Sequence, residues 1–329
     1  MREVAFIKQN KQKWLSFEKA ILEKDISQPE ELSNLYLQLI NDLAFAQTYY
    51  TKSKLVIYLN HLTLLAFQKI YKTKKQEKHQ LISFFKLEAP LILYRNKKYI
   101  AYSFLIFFMS VSIGVLSSFY DDSFIRLILS DEYVNQTLEN IQSGNPTAVY
   151  QSGSNWGSFI GITFNNLYVG LKAFVLGITG GIGTAYALLH NGIMLGAFQY
   201  MFAKYDVLTE SIKGIWIHGA MEIFGIIIEG GAGLMLGASI LFPKSYTRMI
   251  SFKRGFRESI KIIFATFPFT IMAGFLEGFV SRYGNDMPMF LALVIILGTL
   301  SIMIYYFLIY PNKVAKKIMH KHPYNVSKS

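Results

Sequence analysis

The chain has 329 residues, 52% of them apolar and only 16% charged, with a mean hydropathy of +0.30. Ordinary globular proteins carry about 25% charged residues, so this composition excludes a pair of purely water-soluble domains, and it excludes disorder and collagen too. The absence of cysteine removes disulfides, thiolate metal sites and Cys nucleophiles, while the net charge of +12 makes the placement of positive residues the informative quantity.

Residues 1–98 hold 17 Lys/Arg against 9 Asp/Glu and read as a basic, soluble helical domain. The opening MREVAFIKQNKQKW has too short an apolar core to be expected as a cleavable signal. Ser27-Gln28-Pro29-Glu30 puts a hydroxyl at an N-cap, proline in the first turn and a carboxylate three residues on. That pattern predicts a helix carrying Leu35, Leu37, Leu39, Ile40, Leu43 and Phe45. A second amphipathic stretch covers 55–71 and ends in the basic run 72–78, read as a solvated turn or as a contact for anionic lipid headgroups.

Residues 100–120 carry no charge, and 21 residues at a rise of about 1.5 Å each cross a hydrocarbon layer of about 30 Å. Arg95, Lys97 and Lys98 stand before this span, whereas 121–156 holds five acids against the single Arg126. Positive residues stay inside, so both the N-terminal domain and the residues flanking it are assigned to the cytoplasm and 121–156 to an outward loop. Residues 260–280 and 289–310 form an apolar hairpin bracketed by the basic segments 243–258 and 311–329, which places the C-terminal tail in the cytoplasm as well. The chain then crosses an odd number of times between 120 and 243, once or three times.

The region 157–242 is apolar but rich in glycine, with small-xxx-small pairs at Gly157/Gly161, Gly177/Gly181, Gly192/Gly196 and Gly233/Gly237. Two crossings within 170–204 leave about 17 residues each, which predicts short, broken or re-entrant helices. The fold expected is all-α and polytopic, with about six spans: a domain at 1–98, a membrane domain at 99–310 and a basic tail at 311–329.

Polar residues gather in the same region. Lys172 lies seven positions after Asn165, on nearly the same helical face, and Asn191 precedes Gly192. His218 and Glu222 are one turn apart, and Glu229 falls on their stripe two turns further on. A carboxylate at the centre of a spanning helix costs about 2.5–3.5 kcal/mol on insertion scales, so Glu229 is expected to face protein or water. These six residues form a polar intramembrane cluster, either a working site or a hydrogen-bonded network that sets helix register. A carboxylate dyad is conceivable from Glu222 with Glu229 or with Glu277. No second histidine stands one turn from His218, no Gly-x-Ser-x-Gly elbow occurs, and no phosphate-binding glycine loop is present. The sequence therefore names no catalytic residue, metal ligand or cofactor, and the positive charge is accounted for by topology, without nucleic acid.

Asn165 ahead of a glycine-rich stretch, then Asn191-Gly192-Ile193-Met194-Leu195-Gly196, then His218-Gly219-x-x-Glu222 followed by small residues, together resemble the stage II sporulation protein M family. The resemblance covers about 156–242 well and the flanking spans loosely. Ile217 stands where the family pattern usually has proline. The resemblance implies a bacterial inner-membrane scaffold or assembly component of a cell-envelope complex, with other membrane or envelope proteins as partners. The glycine pairs and the outward loop add the expectation of a homodimer. The competing reading is a transporter or channel-like protein with a polar cavity lined by Asn165, Asn191, His218, Glu222 and Glu229.

Overall fold

A computed structural model describes residues 2–22, 29–72, 80–148, 154–284 and 286–321. Every regular element among them is helical. The chain divides into two units, 1–80 and 81–329.

The first unit is built from α1 (Glu3–Leu22), α2 (Pro29–Tyr49) and α3 (Lys54–Lys72). Each helix presents an apolar stripe at three- and four-residue spacing: Phe6, Trp14 and Ile21; Leu35, Leu39 and Ala46; Leu55, Leu59, Leu62 and Ala66. Together these make the core. Asp42 accepts a 2.8 Å hydrogen bond from the buried Trp14 indole and pairs with Lys13 at 2.6 Å, while the Tyr58 hydroxyl donates to Glu18 at 2.9 Å. The predicted Ser27 cap and the basic run beyond Lys72 lie outside the described residues.

The second unit opens with α4 (Gln80–Ser83), a π-helical turn at Phe84–Glu88 and α5 (Ala89–Arg95). Its long helices are α6 (Lys97–Tyr120), α9 (Asn155–Val175), α10 (Ile182–Lys204), α12 (Ile217–Leu241), α13 (Arg248–Phe279) and α14 (Met289–Ile304). Shorter elements are α7 (Asp122–Leu129), α8 (Asp131–Gln142), α11 (Leu208–Ser211) and α15 (Tyr310–Lys321).

The unit boundary falls at residue 80, earlier than the 98 expected from charge. The reason is the apolar run in α5, where Ala89, Pro90, Ile92 and Leu93 are all buried in the membrane unit's core. The π-turn ahead of it is held from the far end of the chain, with the Tyr306 and Tyr310 hydroxyls donating to the carbonyls of Phe85 and Lys86, each at 3.1 Å. The expected tail is likewise a helix as far as Lys321: α15 packs on α5 with Val314 and Ala315 buried. Residues 322–329 lie outside the described residues.

Among the described residues, five helical runs are long and apolar enough to cross a membrane: Lys97–Tyr120, Asn155–Thr179, Leu208–Leu241, Arg248–Tyr283 and Met289–His320. The 23-residue α10 is not among them, yet it packs closely along the middle of α6. A β-carbon on Gly192 or Gly196 would run into the backbone of Phe107 or Val111. The first of the two helices in this stretch begins at Asn155, where Ser154 Oγ accepts from the Gly157 amide at 3.1 Å. The two helices are therefore 21 and 23 residues long instead of about 17. Irregular backbone sits at their ends: a tight turn at Leu176–Thr179, a reversal through Gly180 and Gly181 at φ of 74° and 89°, and a π-turn at Ile212–Trp216.

Residues 121–142 form a pair of helices instead of an open loop. Asp121 caps α7 through the Ser123 amide at 2.9 Å, and Arg126 bonds Asp131 at 2.9 Å and Asn135 at 2.8 Å. Ile125 and Val134 pack with Phe198, Met201, Phe202 and Ile215.

The central element is α12. In its most apolar window 72% of the residues are buried within the bundle, against 22–44% for the other four runs. Glycine brings its neighbours to backbone contact: Gly177 rests on the Gly233 carbonyl, and Gly237 on Gly180 and Gly181. Gly177, Gly181, Gly192, Gly196, Gly233 and Gly237 are thus all used inside one chain.

Candidate functional site

The polar stripe of α12 faces the groove between α9 and α13. At its upper level, His218 is buried, and its Nδ1 shares a 2.8 Å hydrogen bond with Ser281 Oγ just beyond α13. Its Nε2 lies 3.6 Å from Glu277 Oε2. Glu222, one turn along from His218, accepts a hydrogen bond from the Asn166 side-chain amide of α9. One ligand atom from each of His218, Glu222 and Glu277 lies within 4.8 Å of the others. One-turn pairs meet here, His218 with Glu222 on α12, and Glu277 in the last turn of α13 with Ser281 in the turn that follows it.

This cluster opens into a cavity of about 480 Å³, lined also by Asn165, Asn166, Asn191, Met194 and Tyr133. Behind the cavity-lining Phe198 and Ile215, Gln199 of α10 accepts at its side-chain oxygen from the Trp216 indole at 3.1 Å and from Ser211 Oγ at 3.2 Å. The π-turn ending at Trp216 distorts the helix immediately before the fully buried Ile217, at the place where the family pattern has proline. A local break is thereby made without a missing N–H.

At the lower level of the stripe, Glu229 is 3% exposed and accepts from Thr266 Oγ1 of α13 at 2.6 Å. Its carboxylate fills the space over Gly170 of α9, where any β-carbon would collide with Oε2. Glu229 therefore faces protein, as the cost of a carboxylate in lipid requires. It does not line the cavity.

The predicted cluster is thus divided. His218 and Glu222 come together, Asn165 and Asn191 border the same cavity, and Glu229 sits in a separate sealed niche. Lys172 is exposed near the end of α9 and does not line the cavity. The Asn191 amide donates to the Ala187 carbonyl of its own helix at 2.8 Å, and the imidazole is bonded by Ser281. Of the two conceivable carboxylate pairs, the structure makes Glu222 with Glu277. Thr266 and Ser281 were not legible as members, and between the adjacent polar residues Asn165 and Asn166 only helix rotation decides which one meets Glu222. Ser281 lies one turn after Glu277, a spacing that carries no signal until α13 is known to face His218.

Fold and site define a multi-pass helical membrane protein with a His-Glu-Glu cluster at the head of a cavity, His218 and Glu277 buried and Glu222 partly so. Residues 103–282, more than half of the chain, match the Stage II sporulation protein M (SpoIIM) family, and the chain belongs to that family. Residues 4–72, nearly coextensive with the three-helix unit, match a Domain of unknown function (DUF8413). No curated protein and no solved structure matches the chain.

Proposed function

We propose that this chain is a non-enzymatic scaffold or assembly component of a bacterial cell-envelope complex, embedded in the cytoplasmic membrane with both termini in the cytoplasm. The observation that carries the reading is the packing of α12. Glycine-to-backbone contacts on α9 and the turn after it hold the middle of the bundle, and Glu229 is closed off by Gly170 and Thr266. A bundle sealed at that level suits a fixed platform better than alternating access, which needs two parts that rock around a site. The helical pair 122–142 and the three-helix unit each offer a docking surface for other membrane or envelope proteins. The orientation follows from Arg95, Lys97 and Lys98 before α6 and the acids after it.

The test is cross-linking in native membranes followed by purification through either terminus. An envelope partner recovered in fixed ratio, and lost when the surface of 122–142 is altered without loss of membrane insertion, supports the scaffold. Recovery of the chain alone, together with solute uptake by proteoliposomes that contain it, overturns it. Tags at both termini are expected to be cytoplasmic and a reporter near Gln142 external; a cytoplasmic signal from that position overturns the orientation. Self-association as a homodimer belongs to the same reading. Most glycine pairs are occupied within the chain, so the face left for it is Gly157/Gly161, where a β-carbon on Gly161 meets nothing within 4 Å. A cysteine placed at Gly161 should then form a cross-linked dimer in membranes.

A further inference from the structure

Glu222 and Glu277 stand side by side in the bundle, and among the described residues no Lys or Arg lines the cavity in front of them. Two carboxylates in a poorly polarisable setting need a neutralising partner, either a proton held between them or a cation. The third group in the cluster is an imidazole, the commonest protein ligand for transition metals.

Geometry favours the cation. Tetrahedral bonds of about 2.0–2.1 Å set neighbouring ligand atoms about 3.4 Å apart. His218 Nε2 and Glu277 Oε2 are separated by 3.6 Å, and one ligand atom from each of His218, Glu222 and Glu277 lies within 4.8 Å of the others. Two of the three groups are also aimed from behind. Ser281 holds the imidazole at Nδ1, which turns Nε2 toward the carboxylates, and the Asn166 amide holds one oxygen of Glu222. Outer partners of this kind fix the rotamer and tautomer of metal ligands. The fourth side of the triangle is the cavity of about 480 Å³, with room for water and with Asn165 and Asn191 as polar wall.

From these observations we infer that His218, Glu222 and Glu277 bind one divalent transition-metal ion of the zinc, manganese or iron(II) class, with water from the cavity in the remaining positions. One neutral imidazole and two carboxylates balance the charge of such an ion. The ligands come from α12 and from the last turn of α13, so the metal joins these two helices at the level where the bundle is open, while Thr266 and Glu229 join them where it is closed. The inference goes beyond the scaffold reading and stands or falls separately from it.

The test uses the full chain in detergent, with any tag removed, stripped with a chelator and titrated with Zn²⁺ alone and with Co²⁺ alone. Elemental analysis is expected to find one Zn²⁺ per chain. Bound Co²⁺ is expected to show the intense visible bands of a low-coordinate site, removed on addition of Zn²⁺. Ser281→Ala deletes only the hydroxyl behind the imidazole and should weaken binding about 10-fold or more. Glu277→Gln keeps shape but removes a ligand charge and should abolish stoichiometric binding; Glu229→Gln, in the sealed niche, should leave it unchanged. If a variant does not fold, the wild-type titrations decide alone. A wild-type chain that binds no equivalent of either ion overturns the inference and leaves a proton between the two glutamates. Binding that persists undiminished in Ser281→Ala and Glu277→Gln belongs to surface groups and overturns it equally.

Discussion

Glu222 and Glu229 stand on one stripe of α12, two turns or about 10 Å apart, and face the same two neighbours, α9 and α13. On α9 they meet Asn166 and Gly170, which are one turn apart; on α13 they meet Glu277 and Thr266. The lower position is sealed because glycine stands where a side chain would otherwise fill the space, and a single hydroxyl satisfies the carboxylate. At the upper position Asn166 stands on α9 in place of glycine, a cavity adjoins, and three ionisable groups collect beside it. The size of the residue on α9 thus goes with whether a buried carboxylate becomes a packing element or part of a candidate binding site.

The largest expected contrast is all-or-none. Because the chain has no cysteine, single thiols report local access directly. Asn191→Cys in the cavity wall is expected to react with a water-soluble maleimide in the folded protein, and Ile228→Cys, fully buried beside Glu229, is expected not to react. Equal labelling of the two would erase the distinction.

Next in size is the packing that closes the lower level. Gly177→Ala pushes a methyl group into the Gly233 carbonyl and should cost about 3 kcal/mol, whereas Gly161→Ala meets nothing and should stay within about 0.5 kcal/mol. Thermal unfolding in detergent measures both. A smaller difference separates the two carboxylates' partners. Thr266→Val strands Glu229 in a dry niche, at about 2 kcal/mol, while Asn166→Ala leaves Glu222 beside a cavity where water can replace the amide, at under about 1 kcal/mol. If Asn166→Ala is the more damaging, the upper level is as dry as the lower.

The weakest effect belongs to the three-helix unit, where a carboxylate contact bears on a phenol. Burial, then the hydrogen bond to Glu18 and its charge, push the Tyr58 phenol from 10.0 up to about 12. Such a group contributes stability that is fully present below pH 10 and is lost as pH rises through about 12. Unfolding of this unit followed between these values should show a loss that is smaller in Tyr58→Phe; identical profiles would remove the coupling.

Much of the architecture is written along the chain, because helical period, span length and glycine spacing are local quantities. The uncharged run 100–120, the stripe of His218, Glu222 and Glu229, and the close-packing glycine pairs all follow from counting residues at 3.6 per turn. What counting could not supply is the identity of the neighbour across each gap. A stripe defines a face, but rotation of α9 by one residue decides between Asn165 and Asn166, and the register of α13 against α12 decides that Glu277 and Ser281 meet His218 while Thr266 meets Glu229. The same holds for the unit boundary: charge counting places 81–98 with the basic domain, yet its apolar side chains are buried by α13 and α15, far along the chain. Composition and period determine which residues must be buried; only tertiary packing decides against what, since burial satisfies an apolar face against any complementary surface, whereas a buried carboxylate needs one particular donor.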